Sequence, residues 1–444
     1  MRKIILLAFI AMLLPLLSFS GGKVDFKTID QKTLEHYQSG EWQEVIYWAK
    51  LGLKAGYDYY YLRIRMGVSY FNLGKYFMAI PEFRESLTFN GGSKMAREYL
   101  YYSYLYAGQS NEAEKMKKDF PPEMLSNLGL KKSKILKMVY LETGPTFSNN
   151  YSKNGKRNLR GGQQIFGIED LYGNNYYTHL GLDFNVSKGI SWYLGYSNLI
   201  VDKRESIQYP IAMPSNLNDI EYNYKVYQNE LYTNLLIPFA NGWRLIPAFH
   251  LLHDTYKPLE VTYQSYEITD TSYFDYIASL GLSKQLKWLN LGLSAAYSTL
   301  NGRIQQQYGL SFMYYPLGNL DFFGQTAIQG LIEEGETNIV FQQMLGAKVL
   351  RKLWIELLGS FGDMSLMTEK NAFVVYNLSD KIKYRLSANV IYSINEHIEV
   401  SLRYQFYEKE GTWLQYQANG PETFKIRTRT YQTHQILGGL TWKL

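Results

Sequence analysis

The sequence predicts a multidomain chain in which an all-α region of helix–turn–helix repeats precedes an antiparallel transmembrane β-barrel of about 14 strands. A spacing of 34 residues separates Gly40, Gly74 and Gly108 near the N-terminus. From Ile135 onward, apolar and polar residues alternate in segments of about ten, which is typical of barrel strands. Tyrosine supplies 41 of the 444 residues, and this amphipathic side chain collects at membrane–water boundaries.

The clearest β signal is the hairpin at 381–405. Its alternate residues are apolar or aromatic, and each strand is long enough to cross a bilayer obliquely, which takes about 9–11 residues. A Lys or Arg on the lipid face costs about 2–4 kcal/mol at the midplane, so the polar set must face the lumen. The candidate lumen residues, with one added from an earlier strand, are Lys383, Arg385, Asn389, Glu399, Arg403, Gln405 and His250.

Alternation through the turn at Asn395-Glu396 also predicts the register of this hairpin. If Ile394 and Ile398 both face lipid, three residues separate them. The polar residues then face one another in three pairs: Asn389 with Arg403, Ser387 with Gln405, and Ser393 with Glu399.

The same period predicts 14 strands: 135–147, 176–186, 190–201, 223–237, 243–256, 273–284, 288–300, 303–315, 319–331, 337–349, 352–362, 380–394, 397–408 and 428–444. Long and short connections largely alternate, as extracellular loops and periplasmic turns do in outer-membrane barrels. Residues 372–377 have strand propensity, but a fifteenth span would break the even strand number of bacterial barrels. We therefore assign 363–379 to an extracellular loop, with β structure at 372–377 above the membrane.

Residues 1–20 have the pattern of an export signal. Arg2 and Lys3 precede an apolar run from Ile4 to Leu17, and a small-x-small site ends at Ser20. Residues 28–120 are then a periplasmic repeat domain, 121–134 a linker, and 135–444 the barrel. The expected location is the cell outer membrane of a Gram-negative bacterium, with outer-membrane lipid around the barrel.

The repeat unit that begins at Gly67 resembles the tetratricopeptide repeat family, because its small and aromatic residues stand at that family's signature positions. These residues are Gly67, Tyr70, Gly74, Tyr76, Ala79 and Phe83. The resemblance implies a concave surface that binds a periplasmic protein partner, and the candidate contacts are Tyr59, Tyr60, Tyr99 and Tyr102. The alternative is a rigid spacer without a ligand.

The C-terminal residues Leu440, Trp442 and Leu444 form an alternating apolar set at the end of the last predicted strand. Such an ending resembles the signal read by the barrel assembly machinery, which is therefore an expected partner. Leu444 departs from that pattern, whose last residue is aromatic.

The sequence contains few residues in arrangements that would indicate an enzymatic activity. His250 and Asp254 share a strand face and could form a base with its orienting carboxylate, but no nucleophile motif accompanies them. We predict no catalytic residue, cofactor or metal site. The net charge of +6 is not gathered into a dense basic stripe, so nucleic acid is not an expected partner.

The segment from Gly362 through Val374, Asn377, Asp380 and Arg385 is similar to a stretch of the YaiO-like outer-membrane barrel proteins of Bacteroidota, whose members often carry such repeats. The order of the domains also resembles barrels that export polysaccharides or surface lipoproteins. The leading hypothesis is a non-enzymatic outer-membrane barrel that passes or displays a substrate, with the repeats recruiting periplasmic partners. An anchor that assembles partners through its repeats is the second hypothesis, and a barrel-embedded lipid-modifying enzyme is the third.

Overall fold

The computed structural model describes residues 24–130, 133–155, 167–187, 189–210, 217–239, 242–261, 266–416 and 424–444. The predicted export signal lies outside these ranges. None of the helices in this part of the chain is long and apolar enough to cross a membrane. The chain forms two compact units that divide between Leu100 and Tyr101.

The helices repeat with the period that the sequence predicts. They are α1 (Phe26–Gln38), α2 (Trp42–Lys54), α3 (Tyr60–Asn72), α4 (Tyr76–Phe89), α5 (Lys94–Tyr106) and α6 (Ser110–Lys117). The first helices of the three pairs begin at residues 26, 60 and 94, so the 34-residue spacing is confirmed. Gly40, Gly74 and Gly108 form the turns with φ of 72°, 69° and 70°, a left-handed conformation that glycine adopts without steric cost.

Small residues let the helices of the first unit approach closely. A Cβ on Gly67 of α3 would lie 2.7 Å from the ring of Phe83 on α4, and a Cβ on Gly52 would lie 2.7 Å from Ile29. Phe83 and Ile29 are fully buried. Gly67 and Phe83, two residues of the predicted repeat signature, therefore form the contact between α3 and α4.

The predicted linker contains a short helix, α7 (Pro122–Asn127). Its Met124 packs with Phe120, Tyr101 and Ala113 in a small apolar cluster. Helix α6 contacts the barrel, because Glu112 pairs with Arg244 at 2.5 Å. Asn111 Nδ2 also donates to Ser191 Oγ at 2.8 Å. Helix α6 is thus fixed at one end of the barrel.

Fourteen antiparallel strands form a closed barrel, as predicted. They are β1 (Leu136–Ser148), β2 (Gly167–Ser187), β3 (Ile190–Pro210), β4 (Leu217–Pro238), β5 (Trp243–Tyr256), β8 (Thr271–Gln285), β9 (Leu289–Ser298), β10 (Gln305–Tyr314), β11 (Phe322–Glu333), β12 (Glu336–Leu350), β13 (Leu353–Phe361), β16 (Lys381–Ser393), β17 (Ile398–Tyr416) and β18 (Phe424–Lys443). Two short hairpins, β6 (Leu259–Val261) with β7 (Tyr266–Ile268) and β14 (Thr368–Glu369) with β15 (Val374–Val375), form separate sheets that do not pair with the barrel strands. A short helix, α8 (Asn150–Asn154), follows β1.

The barrel closes between its first and last strands, where Met138 pairs with Lys443 and Ser148 with Thr433. Its two ends differ. The short-turn end carries the connections after β2, β4, β8, β10, β12 and β16, and the long-loop end carries the others. The height of an inward-facing side chain in the lumen can therefore be given as its number of residues from the short-turn end or the long-loop end of its strand.

The outer surface of the barrel is apolar. Leu231, Leu293, Leu357 and Leu402 face outward on four different strands, with 46–58% of their surfaces exposed. An apolar band with aromatic residues around a closed barrel is the architecture of a transmembrane β-barrel, in which every strand edge is paired.

Several strands extend further at the long-loop end than the sequence predicted. Strand β3 continues to Pro210, and its outward residues beyond the predicted end include Asp202 and Arg204. Arg204 pairs with Glu221 of β4 at 3.1 Å. Pairing continues there with polar residues on the outer face, which places this part of the barrel outside the apolar band.

Candidate functional site

The predicted register of the β16–β17 hairpin is confirmed. Ser387 pairs with Gln405, Asn389 with Arg403, and Ser393 with Glu399. Strict alternation of side chains between lipid and lumen fixes this register, because a slip of one residue would turn the charged face toward lipid.

Alternation fails near the start of β16, where a bulge lies between Ile382 and Tyr384. Ile382 therefore turns inward and is fully buried. Lys383, which we predicted in the lumen, is the additional residue at the bulge. It pairs with Glu410 at 2.5 Å, and its side chain is 44% exposed. A bulge shifts the facing of one residue without changing the strand pair, so the polar-or-apolar pattern does not reveal it.

Arg385, the next predicted lumen residue, is buried in a polar cluster. Its Nη2 donates to Glu369 Oε1 at 2.9 Å and to Ser360 Oγ at 2.8 Å. Its Nη1 donates to Glu369 Oε2 at 3.1 Å and also to the hydroxyl of Tyr376. Glu369 and Tyr376 belong to the segment between β13 and β16.

That segment, residues 363–379 and hereafter the plug, connects β13 to β16 at the long-loop end without crossing the membrane, as predicted. It folds into the barrel, however, so our placement of its β structure above the membrane is wrong. It contains the β14–β15 hairpin. At its tip, Asn371 Oδ1 would lie 2.3 Å from a Cβ on Gly281 of β8. Gly281 stands four residues before the short-turn end of its strand, so the plug passes the middle of the barrel.

Polar contacts fix the plug along its length. Gln307 of β10 donates to Thr368 O at 2.7 Å and accepts from Thr368 N at 2.9 Å, as a neighbouring strand would. The hydroxyl of Tyr232 on β4 donates to Asn371 O at 3.1 Å. Asn377 Nδ2 donates to Asp254 Oδ2 at 2.9 Å. Side chains of the wall thus satisfy backbone groups that would be costly to bury unpaired.

Apolar packing supports these contacts. Met364, Leu366, Met367 and Ala372 of the plug are buried against inward side chains of the wall. The other members of this cluster are Leu252, Ile277, Leu331, Val340, Ile382 and Tyr407 of the wall and Leu300 of the connection between β9 and β10. The ring of Phe373 lies edge-on to those of His179 and Tyr232, with centroid distances of 5.1 and 5.2 Å. A lumen of 14 strands is too wide for wall side chains to fill, and the plug fills part of it.

The tip of the plug has an unusual backbone. Lys370, Asn371 and Ala372 are consecutive residues with φ of 53°, 56° and 63°. For residues other than Gly and Asn, the left-handed conformation costs about 1–2 kcal/mol each, so surrounding contacts must hold it. The contacts from Tyr232 and from His250, whose Nδ1 lies 2.7 Å from Ala372 O, perform this role.

A cavity of about 620 Å³ remains beside the plug. Asn389, Arg403 and Gln405 line it, together with Arg385 and residues of the plug. Arg403 pairs with Glu142 of β1 at 3.2 Å, and Gln405 Nε2 donates to Gln435 Oε1 at 2.6 Å. Four of the predicted lumen residues therefore meet at one space.

Glu399 and His250 lie elsewhere in the lumen. Glu399 pairs with Lys443 at 2.6 Å near the short-turn end of β17. His250 is buried, and its Nε2 lies 3.2 Å from Glu230 Oε2. The pairing of His250 with Asp254 that the sequence allowed is not formed, because Asp254 bonds to Asn377 and the imidazole bonds to the plug and to Glu230.

The tyrosines predicted to bind a partner make internal contacts. The hydroxyl of Tyr59 donates to Asp30 at 2.9 Å, and burial together with this carboxylate raises the pKa of Tyr59 to about 12. Tyr60 bonds to Ser93 at 2.6 Å. The ring of Tyr99 stacks on Phe83 at 5.4 Å. Tyr102 stacks on Tyr106 at 6.1 Å.

The predicted assembly residues occupy the closing strand. Leu440 and Trp442 face outward, with 42% and 52% of their surfaces exposed. Leu444 N donates to Lys137 O at 2.9 Å, which extends the pairing of β18 with β1 to the last residue.

The plug and the cavity were not predicted, but both leave a recognisable pattern in the sequence. The plug has four apolar residues in succession, from Ala372 to Val375, which is too apolar for a loop in water. On β8, β9 and β10, glycine and serine alternate at the inward positions that line the cavity, such as Gly292 and Ser294. Such small residues signal an open space in the lumen.

No protein-family model and no curated protein matches the chain. Among solved structures, the toluene transporter TodX of Pseudomonas putida is 7% identical, with 71% of this chain and 91% of the transporter covered at a TM-score of 0.43. The translocator domain of the autotransporter NalP from Neisseria meningitidis is 10% identical, with 77% and 99% covered at a TM-score of 0.31. The β domain of the Bordetella autotransporter BrkA is also 10% identical, with 70% and 100% covered at a TM-score of 0.29. These likenesses are too weak to carry an argument about function.

Proposed function

We propose that this protein is an outer-membrane barrel that passes a small polar solute through a lumen gated by the plug. The observation that carries the proposal is a polar cavity of about 620 Å³ that lies beside a plug attached to the wall at discrete points. A barrel that served only as an anchor would have no need of such a space.

The attachment of the plug is compatible with movement. Both its ends join β13 and β16, which pair directly with each other from Leu353–Tyr392 to Phe361–Tyr384. Withdrawal of the plug toward the long-loop end would therefore leave the wall of the barrel intact. The left-handed tip would lose its strain on release, which offsets part of the cost of breaking its contacts.

The repeats are proposed to lie in the periplasm and to recruit a protein partner. The 34-residue period and the close packing of Gly67 on Phe83 support a repeat architecture, which stacks into an extended binding surface. The contact of α6 with Arg244 at the short-turn end supports a periplasmic position for that end.

A disulfide between the plug and the wall tests the gate. The Cγ atom of Asn371 would lie 3.0 Å from a Cβ on Gly281, close enough for cysteines at these positions to be joined by an S–S bond of about 2.05 Å. The chain contains no cysteine of its own, so Gly281→Cys/Asn371→Cys would carry the only pair.

In planar bilayers, we expect the oxidised double variant to stay closed and dithiothreitol to restore openings. Asn371→Cys alone controls for the effect of the reductant. If conductance is the same in the oxidised and reduced double variant, the plug is not the gate. If the wild type and the reduced variant are both silent, passage is contradicted.

The apolar packing of the plug favours a second function, that of a permanently closed anchor whose repeats assemble partners. Met364 and Met367 are each only 1% exposed, as in a core that does not open. This function predicts that the repeats keep partner binding when they are fused to an unrelated barrel. Loss of binding in that fusion would contradict it.

A further inference from the structure

We propose that the cavity beside the plug is a binding site for a neutral, polyhydroxylated solute, which is a saccharide of one to a few rings. This inference rests on the proposed function, since it names the class of solute that passes. The evidence for a saccharide is the charge, the hydrogen-bonding groups, the shape and the aromatic residues of the cavity wall.

The charges that line the cavity balance. Four are acidic and four are basic: Glu142, Glu230, Glu356, Glu369, Lys370, Arg385, Arg403 and Lys409. Two of the basic residues already have carboxylate partners within the cavity wall, Arg385 with Glu369 and Arg403 with Glu142. A wall of zero formal charge gives no net attraction to an anion or a cation, so it favours a neutral ligand.

One side of the cavity offers a row of hydrogen-bonding side chains across four adjacent strands. Ser387 pairs with Gln405, Gln405 with Gln435, and Gln435 with Thr146. All four line the cavity. Hydroxyl and amide groups both donate and accept hydrogen bonds, as the hydroxyl groups of a sugar do.

Buried polar atoms on this side lack partners among the described residues. They are Oγ1 of Thr146, Oγ1 of Thr433 and Oδ1 of Asn389, whose residues are 3%, 2% and 8% exposed. All three residues line the cavity. A buried polar atom without a partner is unfavourable, and rotation of these side chains toward the cavity would let the hydroxyl groups of a ligand satisfy them.

The opposite side is made of small residues, which leave room in the lumen for the tip of the plug, at Gly281, and for a ligand beside it. Gly281 pairs with Ser294 and Ser294 with Gly309, while Ser283 pairs with Gly292 and Gly292 with Ser311. These six residues form two rows across β8, β9 and β10, and all line the cavity. The cavity falls within the range of small-molecule sites, about 300–1,000 Å³.

Aromatic rings complete the lining. Tyr140, Tyr177 and Tyr407 come from the wall, while Phe373 and Tyr376 come from the plug. The apolar C–H faces of sugar rings pack on such rings, whereas their hydroxyl groups need the polar row. Since the plug contributes two of these residues, the solute would contact the gate itself.

Saturation-transfer difference NMR on the full chain tests the inference. The protein is kept in an oligooxyethylene detergent, which carries no sugar, and incubated overnight so that slow entry past the plug does not limit binding. The probes are glucose, maltose, sucrose, lactose and raffinose, with glucose 6-phosphate and glucosamine as charged comparisons. We expect at least one neutral sugar to bind more tightly than both charged probes.

Two substitutions of the polar row sharpen the test. Thr146→Val and Thr433→Val each remove a hydroxyl at constant volume, and we expect each to weaken binding about 3- to 10-fold, which corresponds to one hydrogen bond. Thr326→Val on the outward face of β11 is the matched control and should leave affinity unchanged. Ser294→Trp should abolish binding by filling the cavity. The heat-dependent shift of the barrel in electrophoresis checks that each variant is folded.

If no neutral sugar binds, or if the three threonine variants behave alike, the inference is overturned. The bilayer experiment gives a separate outcome. Conductance controlled by the plug without sugar binding would leave the proposed passage standing and remove the saccharide. Sugar binding in a silent barrel would support the site and contradict passage.

Discussion

Arg385 joins the plug to the wall of the barrel through a buried charge. The side chain is 3% exposed and forms two hydrogen bonds to Glu369. Removal of one member of such a pair is costly, about 3–5 kcal/mol, because the other charge stays buried and unpaired. Replacement of both by apolar residues is often neutral, because neither charge then has to be desolvated.

We therefore predict that Arg385→Met releases the plug and that Arg385→Met/Glu369→Met restores its closure. Lys370 at the tip of the plug is the reporter, since trypsin should cleave after it only when the plug leaves the lumen. Cleavage is measured by mass spectrometry on reconstituted protein, together with bilayer conductance.

Lys443→Met provides the control. It breaks the ion pair with Glu399 near the short-turn end, where the lysine side chain is 46% exposed, and exposed pairs contribute about 0–1 kcal/mol. Equal cleavage at Lys370 in the single and double variants of Arg385 would contradict a charge-dependent attachment.

At the scale of the element, the sequence predicts the bounds of the strands better than it predicts the structure of the connecting segments and bulges. The bounds of β5 agree with the prediction at both ends, Trp243 and Tyr256, because its neighbours are short turns or charged loops. The plug was predicted to lie above the membrane, because strand parity says at which end of the barrel a connection begins but not whether it folds into the lumen. The bulge at Lys383 was missed because its neighbours keep the alternating pattern.

The cavity could be predicted only in part. Asn389, Arg403 and Gln405 share a face of one hairpin, so their period brings them together. Their neighbours in the cavity, such as Thr146 and Gln435, come from strands that meet only when the barrel closes. A single sequence does not give the shear of the barrel, which is the offset in strand register around the closed sheet. This offset determines which residues of different strands lie at the same height in the lumen.

The helical hairpin of α3 and α4 gives a test of its own. A Cβ at position 67 would lie 2.7 Å from the ring of Phe83, which is fully buried and cannot move freely. We predict that Gly67→Ala destabilises the helices by about 1–3 kcal/mol, the usual cost of overpacking.

The measurement is a urea titration of the full-length protein followed by circular dichroism at the helical minimum. Gly91→Ala is the matched control, because its Cβ would lie 3.6 Å from the nearest atom, in ordinary contact. If both variants unfold at the same urea concentration, close packing of Gly67 is not what holds the pair together.

At the scale of the whole molecule, one strand completes the barrel. Strand β18 pairs with β17 from Ile398–Trp442 to Tyr416–Phe424, and with β1 from Met138–Lys443 to Ser148–Thr433. It is the last element of the sequence, and it supplies both final rows of hydrogen bonds.

We predict that a chain ending at Tyr416 inserts no barrel, because β1 and β17 would both be left with unpaired edges in the membrane. The heat-dependent shift in electrophoresis should be absent. Removal of Leu444 alone, which costs one hydrogen bond to Lys137 O, should retain the shift. A stable barrel without β18 would contradict the prediction.

The pairing of β1 with β18 also limits the rate at which the barrel assembles. The residues that pair at this seam are separated by almost the whole length of the barrel sequence, so their encounter has a large loop-closure cost and is intrinsically slow. Until β18 docks, the other thirteen strands, whose outer faces are apolar, have two open edges. The newborn chain should therefore depend on a chaperone that shields it in transit, and this dependence should end abruptly when the last strand docks.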